Sequence, residues 1–433
     1  MTAGGVSPAD GKRLGELMSK KIGGVFALAG LCALSLFLLN CGSSSSRPAG
    51  ALYVLTQGSN GVGNNVTSYA IDLGSGNLSL INSNASTCTS QGTSCGPPLD
   101  IVLDPTGAAA FVLNQGVPSI PAAPTIYAYT IGSDGSFGSP TVAATLTPGD
   151  TAIAMTRDAD GKFLFVITLA PQVLVFSTSP GSTTLTPVDN SALSVTRIPT
   201  ALSAITFTPQ GGTAQEFLFV TSNNDPVLHN DNTLSVYVVA SDGTLTEQTG
   251  SPYATTTDPL SVQAVNTNPA GQNVGGVFVY VGSQPTAAGA LNIFEMCTVV
   301  DAVCSQSDVT NALLMPVTTP PPPSPGANPV AMLVDPTNTF LYVVCEGSSQ
   351  VFGYKIGTTS GTLTALSPAS EPTGLHPVAM AMHPSVKSSG AFLYTSNSGS
   401  SNISGFSVST TTGSMSSPIT VSSPSVPSGM AAR

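Results

Sequence analysis

The 433 residues contain only three histidines. Two of them, His376 and His383, bracket the stretch GLHPVAMAMHP at 374–384. Paired histidines suggest a metal site or proton transfer. In an extended strand, however, seven positions separate them by more than about 20 Å and turn them to opposite sides. They cannot share an ion, and no metal site is expected. The related stretch NPVAMLVDPTN at 328–338 places His383 in the slot of Asp335, where Asp104 and Asp158 also fall. That slot favours turn formers, so His383 is read as a turn residue. His376 keeps a chemical claim in combination with Arg197 and Glu346. A guanidinium, a carboxylate and an imidazole can orient an anionic substrate and activate a water. The third histidine, His229, shares the loop SNNDPVLHND with Asp225. Asn114, Asn223, Asp225, His229, Asp258 and Asn397 are the further ligand-binding candidates.

Those residues are far apart in sequence, so only a fold that gathers many loops at one end could unite them. The motif LYVLTQG at Leu52 recurs as AFVLNQG, FLFVITL, FLFVTSN, FVYVGSQ, FLYVVCE and FLYTSNS. Each copy is aromatic and β-branched, the composition of a strand. A second strand follows each copy, as in IYAYTIG at Ile126 or VFGYKIG at Val351, and turns such as SDGTL or TSGTL lead to an outer one. A strand such as LDIVLDP at Leu99 or VAMLVDP at Val330 precedes six of the seven copies. The seventh copy of that preceding strand, PSGMAAR, stands at the C-terminus. The chain thus starts in the second strand of a unit and ends in the first. Pairing the two ends closes a ring and removes exposed sheet edges. The expectation is an all-β, seven-bladed β-propeller over residues 51–433. The run PPPPSP at 320–325 reads as a stiff connection between blades five and six.

In such a ring, the loops before each first strand and after each second strand share one face. The residues closing the second strands are Gln57, Gln115, Leu169, Asn223, Gln284, Glu346 and Ser398. Glu346 is the only charge in that set. Such side chains either cap loop backbone or contact a ligand.

Composition agrees. Charged residues make up 8% and hydrophobic residues 41%, with 44 Gly and 35 Pro. The mean hydropathy is positive, which argues against disorder. Net charge is −11, and after residue 40 only 7 basic residues face 20 acidic ones. Nucleic acid is excluded as a partner, because phosphate binding needs clustered cations.

The first 40 residues read as a secretory signal. Lys20 and Lys21 precede an apolar run from Ile22 to Leu39. Met18 would give a conventional start, making 1–17 a start-site artefact. The sequence Leu38-Leu39-Asn40-Cys41 resembles the lipobox of bacterial lipoproteins. That resemblance implies cleavage before Cys41, lipid modification there and a tether over 41–50. A transmembrane anchor is the alternative, since the run is long enough to span. Either way the rest lies outside the cytoplasm. Cys88 and Cys95 enclose six residues, and so do Cys297 and Cys304. Export makes two local disulfides the expectation, Cys88 with Cys95 and Cys297 with Cys304. Cys345 is left over, and Cys32 lies in the signal.

The DPTG turn, FLYV strand, VxxYxI strand and TSGTL turn together resemble the lactonase-like propellers. This is the group around 6-phosphogluconolactonase and the YVTN-repeat proteins, and the resemblance spans 51–433. It implies a site above the central channel, with Arg197, Glu346 and His376 as catalytic candidates by type and face. Two functions follow: a lipid-anchored envelope module binding a small molecule or protein, and alternatively a lactone or ester hydrolase. The first is the main expectation. No cofactor is expected, since a quinone usually stacks on Trp and there is none. A monomer is expected.

Overall fold

A computed structural model describes residues 50–58, 64–87, 96–116, 123–147, 150–188, 193–194, 197–208, 213–223, 232–268, 276–285, 287–300, 304–383 and 391–433. The expected signal, the expected tether up to residue 49 with Cys41, and Asp225 and His229 lie outside them.

Seven antiparallel sheets surround one axis. The innermost strands, taken around the ring, are Val426–Ala432, Pro98–Leu103, Ala152–Arg157, Ile198–Phe207, Pro259–Asn266, Pro329–Val334 and Pro377–Met382. They define blades 1 to 7. Blade 1 takes its inner strand from the C-terminus and its other strands from Ala51–Gln57, Asn65–Ile71 and Leu78–Ser86. The ring therefore closes as the repeat offset implies. The Ala51 and Arg433 backbones exchange two hydrogen bonds of 3.0 Å.

No single core exists. Seven apolar clusters each fill the seam between two neighbouring blades. The repeated FLYV strand serves that seam. Tyr280, Tyr342 and Tyr394 donate their hydroxyls to the carbonyls of Gly361, Gly413 and Gly76 in the next blade's outer turn, at 2.7–2.9 Å. These three glycines have positive φ, and a Cβ on them would meet Phe278, Phe340 or Phe392. The Gly of TSGTL is thus required by backbone conformation and by the phenylalanine packed on it.

Each inner strand breaks register at the same height. The shift falls between Pro98 and Asp100, Ala152 and Ala154, Pro199 and Ala201, and correspondingly in the other blades. Six of the seven residues that open these breaks are proline. The inner strand is an edge facing the channel, where a missing N–H costs no ladder bond. The bulge re-aims the side chains around the axis.

At the opposite end, Asp104, Asp158 and Asp335 accept hydrogen bonds from Ala109, Phe163 and Phe340 N–H across the turn. His383 occupies the same backbone slot, its N–H donating to Phe392 O. It is buried and packs beside Gly50.

Of the two expected disulfides, one is described. Cys297 and Cys304 are bonded, with a short helix, Gln306–Thr310, following. Cys88 and Cys95 both lie outside the described residues. The bridge expected between Cys88 and Cys95 therefore stays an expectation from spacing and export alone. Cys345 is free and buried, and burial pushes its thiol up to about 12, which keeps it unreactive. The run at 320–325 lies between the outer strand of blade 5, Leu314–Pro316, and blade 6. Ser324 Oγ anchors it by donating to Gly289 O at 2.8 Å.

Candidate functional site

An axial cavity of about 580 Å³ is lined by residues of all seven inner strands. It opens toward the rim that carries the second-strand ends, because Gln57, Ser398 and Val426 also line it. At the bulges the lining includes Leu99, Ile153, Leu260, Val330 and Val378. One step further in, the inner strands present Ala154, Ala201, Ser261, Ala331, Ala379 and Gly429, and Asp100. Small residues let seven strands crowd one axis, and Asp100 is the exception.

Asp100 is the one charged residue lining the cavity among the described residues. Its carboxylate accepts from Ile101 N–H at 2.8 Å and from Met155 N–H in blade 3 at 3.0 Å. Burial pushes its carboxyl up to about 6, against the lowering pull of those two N–H groups. Sequence reasoning missed this residue. The signal was present as a single acid in a slot where the other six repeats have Ala, Ser or Gly.

On the rim, in the six blades that have the proline, one residue leads into it. In blades 5, 6 and 7 that residue is Asp258, Asn328 or His376, with φ of 59°, 52° and 50°. Asn, Asp and His tolerate the left-handed region better than most residues, which accounts for the residue types. Each carbonyl is held within its own blade: Gln284 N–H donates to Asp258 O, Glu346 N–H to Asn328 O and Ser398 N–H to His376 O.

The same three residues are clasped by the preceding blade. Asn223 Nδ2 donates to Asp258 Oδ1 at 2.6 Å. Asn328 N–H donates to Gln284 Oε1 at 2.5 Å. Glu346 Oε1 lies 3.4 Å from His376 Nδ1. Asn223, Gln284 and Glu346 are equivalent second-strand ends, so the amide-and-carboxylate rim foreseen from the repeats acts as a series of blade-to-blade clasps. In the last of them an ionisable pair replaces neutral or singly charged partners. The His376 side chain is 62% exposed and that of Glu346 31%, so both remain open to a ligand. His376 also packs over Gly399, where a Cβ would come within 2.6 Å of His376 Cδ2.

The other candidates separate. Arg197 immediately precedes the inner strand of blade 4, three blades round the ring from His376. Among the described residues it makes no hydrogen bond or ion pair with Glu346 or His376. Asn114 and Asn397 are buried. Asn114 Nδ2 donates to Thr87 O at 2.9 Å, while Thr395, Asn402 and Ser404 hold the Asn397 amide. Both are therefore buried within the scaffold, and ligand contact at either stays an expectation. Asn223 and Asp258 sit on the rim. No group of three metal-ligating side chains occurs among the described residues.

Residues 309–427 match the family described as lactonase, 7-bladed beta-propeller. No curated protein sequence matches the chain. Among solved structures, the periplasmic gluconolactonase of Pseudomonas aeruginosa is similar, with 16% identity, a TM-score of 0.61 and coverage of 88% of this chain and 98% of that one. A candidate 6-phosphogluconolactonase from Bacteroides fragilis gives 15% identity, 0.61, and coverage of 90% and 99%. A Lactobacillus plantarum protein gives 12%, 0.61, and 88% and 99%. At these identities the likeness is one of fold. The chain is a seven-bladed β-propeller whose residues 309–427 match the sequence pattern of that lactonase family.

Proposed function

We propose that the protein is an exported hydrolase of lactones or related esters, with its reacting groups on the rim above the axial cavity. The Glu346–His376 contact carries this reading. With Nδ1 turned to Glu346, the carboxylate favours the tautomer that leaves Nε2 as the base. Nε2 takes a proton from a water, the water oxygen attacks the lactone carbonyl, and the ring C–O bond breaks. The imidazolium returns the proton to the leaving alkoxide, giving a hydroxy acid. The 3.4 Å separation exceeds a tight hydrogen bond, and such contacts often shorten when substrate binds. The proposal gives Arg197 no part in the chemical step.

Export is part of the same proposal. It is supported by the apolar run before Cys41, by the Cys297–Cys304 disulfide and by similarity to a periplasmic gluconolactonase. Lipid attachment at Cys41 completes it.

A second reading, a ligand- or partner-binding module, draws on one observation. Glu346–His376 fills the same slot as two clasps that only join blades. Turnover assays of the purified full chain on a lactone panel separate the two. Hydrolysis that is lost in Glu346→Gln and His376→Ala supports the enzyme. Absence of turnover on every lactone, or turnover indifferent to both substitutions, leaves the binding module.

A further inference from the structure

The lining of the cavity bears on which lactone would fit, an inference that rests on the hydrolase reading. At the bulge height Leu99, Ile153, Leu260, Val330 and Val378 are aliphatic, while Thr200 and Ser428 complete the layer with hydroxyls. Deeper in, Met155, Met332, Met380 and Met430 border it only from the blade seams in which they are packed. The mouth adds exposed apolar side chains: Leu169, Leu375 and Val426 are 50%, 60% and 40% exposed on the same rim. Leu375 directly precedes His376.

Charge points the same way. A phosphorylated or carboxylated substrate needs cationic or multiple N–H partners. Among the described lining residues there is no Lys, Arg or His, and the one charge is the carboxylate of Asp100. An anion drawn into the cavity would meet a like charge in a partly desolvated space. The volume, about 580 Å³, lies within the range of small-ligand pockets.

We propose that the axial cavity receives the aliphatic chain of an uncharged lactone whose carbonyl stays at the rim beside Glu346 and His376. The aliphatic bulge residues then set specificity, and phosphorylated sugar lactones are disfavoured.

The test uses the full chain with γ-hexalactone, γ-nonalactone, glucono-δ-lactone and 6-phosphogluconolactone as substrates. The lactam analogue of γ-nonalactone serves as a non-hydrolysed probe of binding by calorimetry. The expected result is a kcat/KM that rises about fourfold per methylene added to the chain and exceeds that for both sugar lactones. Val330→Thr, which keeps the shape, should reduce the advantage of the longer lactone. Turnover of sugar lactones without turnover of alkyl lactones overturns this inference and leaves the hydrolase reading standing. Lactam binding that Val330→Thr weakens, with no lactone hydrolysed, supports the cavity preference and removes the hydrolase reading. Neither binding nor turnover overturns both.

Discussion

Glu346 Oε1 faces His376 Nδ1 in the same blade-to-blade slot that Asn223 and Asp258 fill two blades earlier. A joint common to several blades is thus, in one place, also a carboxylate–imidazole contact. The left-handed backbone before Pro377 holds His376 there, and the bulge that follows sends the strand down the channel. A structural clasp and a reactive pair make different demands, which allows them to be separated.

Gly399 gives the first separation. A methyl at this position would collide with the His376 ring, 2.6 Å away, and the ring is exposed enough to swing outward. Gly399→Ala should lower lactone turnover about tenfold or more through lost positioning. Stability, followed by urea unfolding, should change by less than ~1 kcal/mol.

Asp100 makes pH a probe of the channel. Its carboxyl is pushed up to about 6 from an ordinary 3.8. Between those values the folded state binds more protons than the unfolded one, so stability falls as pH rises from about 4 to about 6. Above that window the cost of the buried charge is constant. Asp100→Asn should remove this part of the pH dependence. Urea midpoints of both proteins between pH 4 and 8 check it, and an unchanged slope in the variant contradicts it.

The Cys297–Cys304 bridge closes a short loop beside the helix at Gln306–Thr310. Replacing both cysteines by Ala should cost about 2 kcal/mol on chain-entropy grounds. The bridge expected between Cys88 and Cys95 is tested in the same way. Mass mapping of the unreduced protein should show the two peptides carrying Cys88 and Cys95 joined, and free thiols at both positions would contradict that pairing.

Anchoring is tested at Cys41. Cys41→Ser should release the protein from membranes on fractionation if the cysteine carries lipid. Unchanged retention instead identifies residues 22–39 as a spanning segment.

The architecture was legible because the repeats differ in offset at the two chain ends: LYVLTQG near the start and PSGMAAR at the end form one blade. The rim positions were legible for the same reason, since Gln57 through Ser398 align by repeat. Their partners were not. The clasps join side chains of neighbouring blades, and contacts between blades leave no trace within a single repeat. Arg197 shares the rim with His376, but which blades stand opposite follows only from placing each in the ring. Asn114 and Asn397 sit one position before the rim residues, and in a strand one position reverses the face. That difference buries both. Asp100 could have been found by comparing inner strands column by column.

The rim pair Glu346–His376 is the centre of the proposed chemistry. The most direct measurement is kcat/KM of the full chain on γ-nonalactone for the native protein, Glu346→Gln and His376→Ala, with unfolding followed alongside. A general base is worth about 10²–10⁴-fold, whereas an exposed ion pair contributes at most ~1 kcal/mol to stability. Turnover should fall by at least about 10²-fold in His376→Ala and substantially in Glu346→Gln, with stability nearly unchanged. Unaltered turnover in both variants would contradict that chemistry.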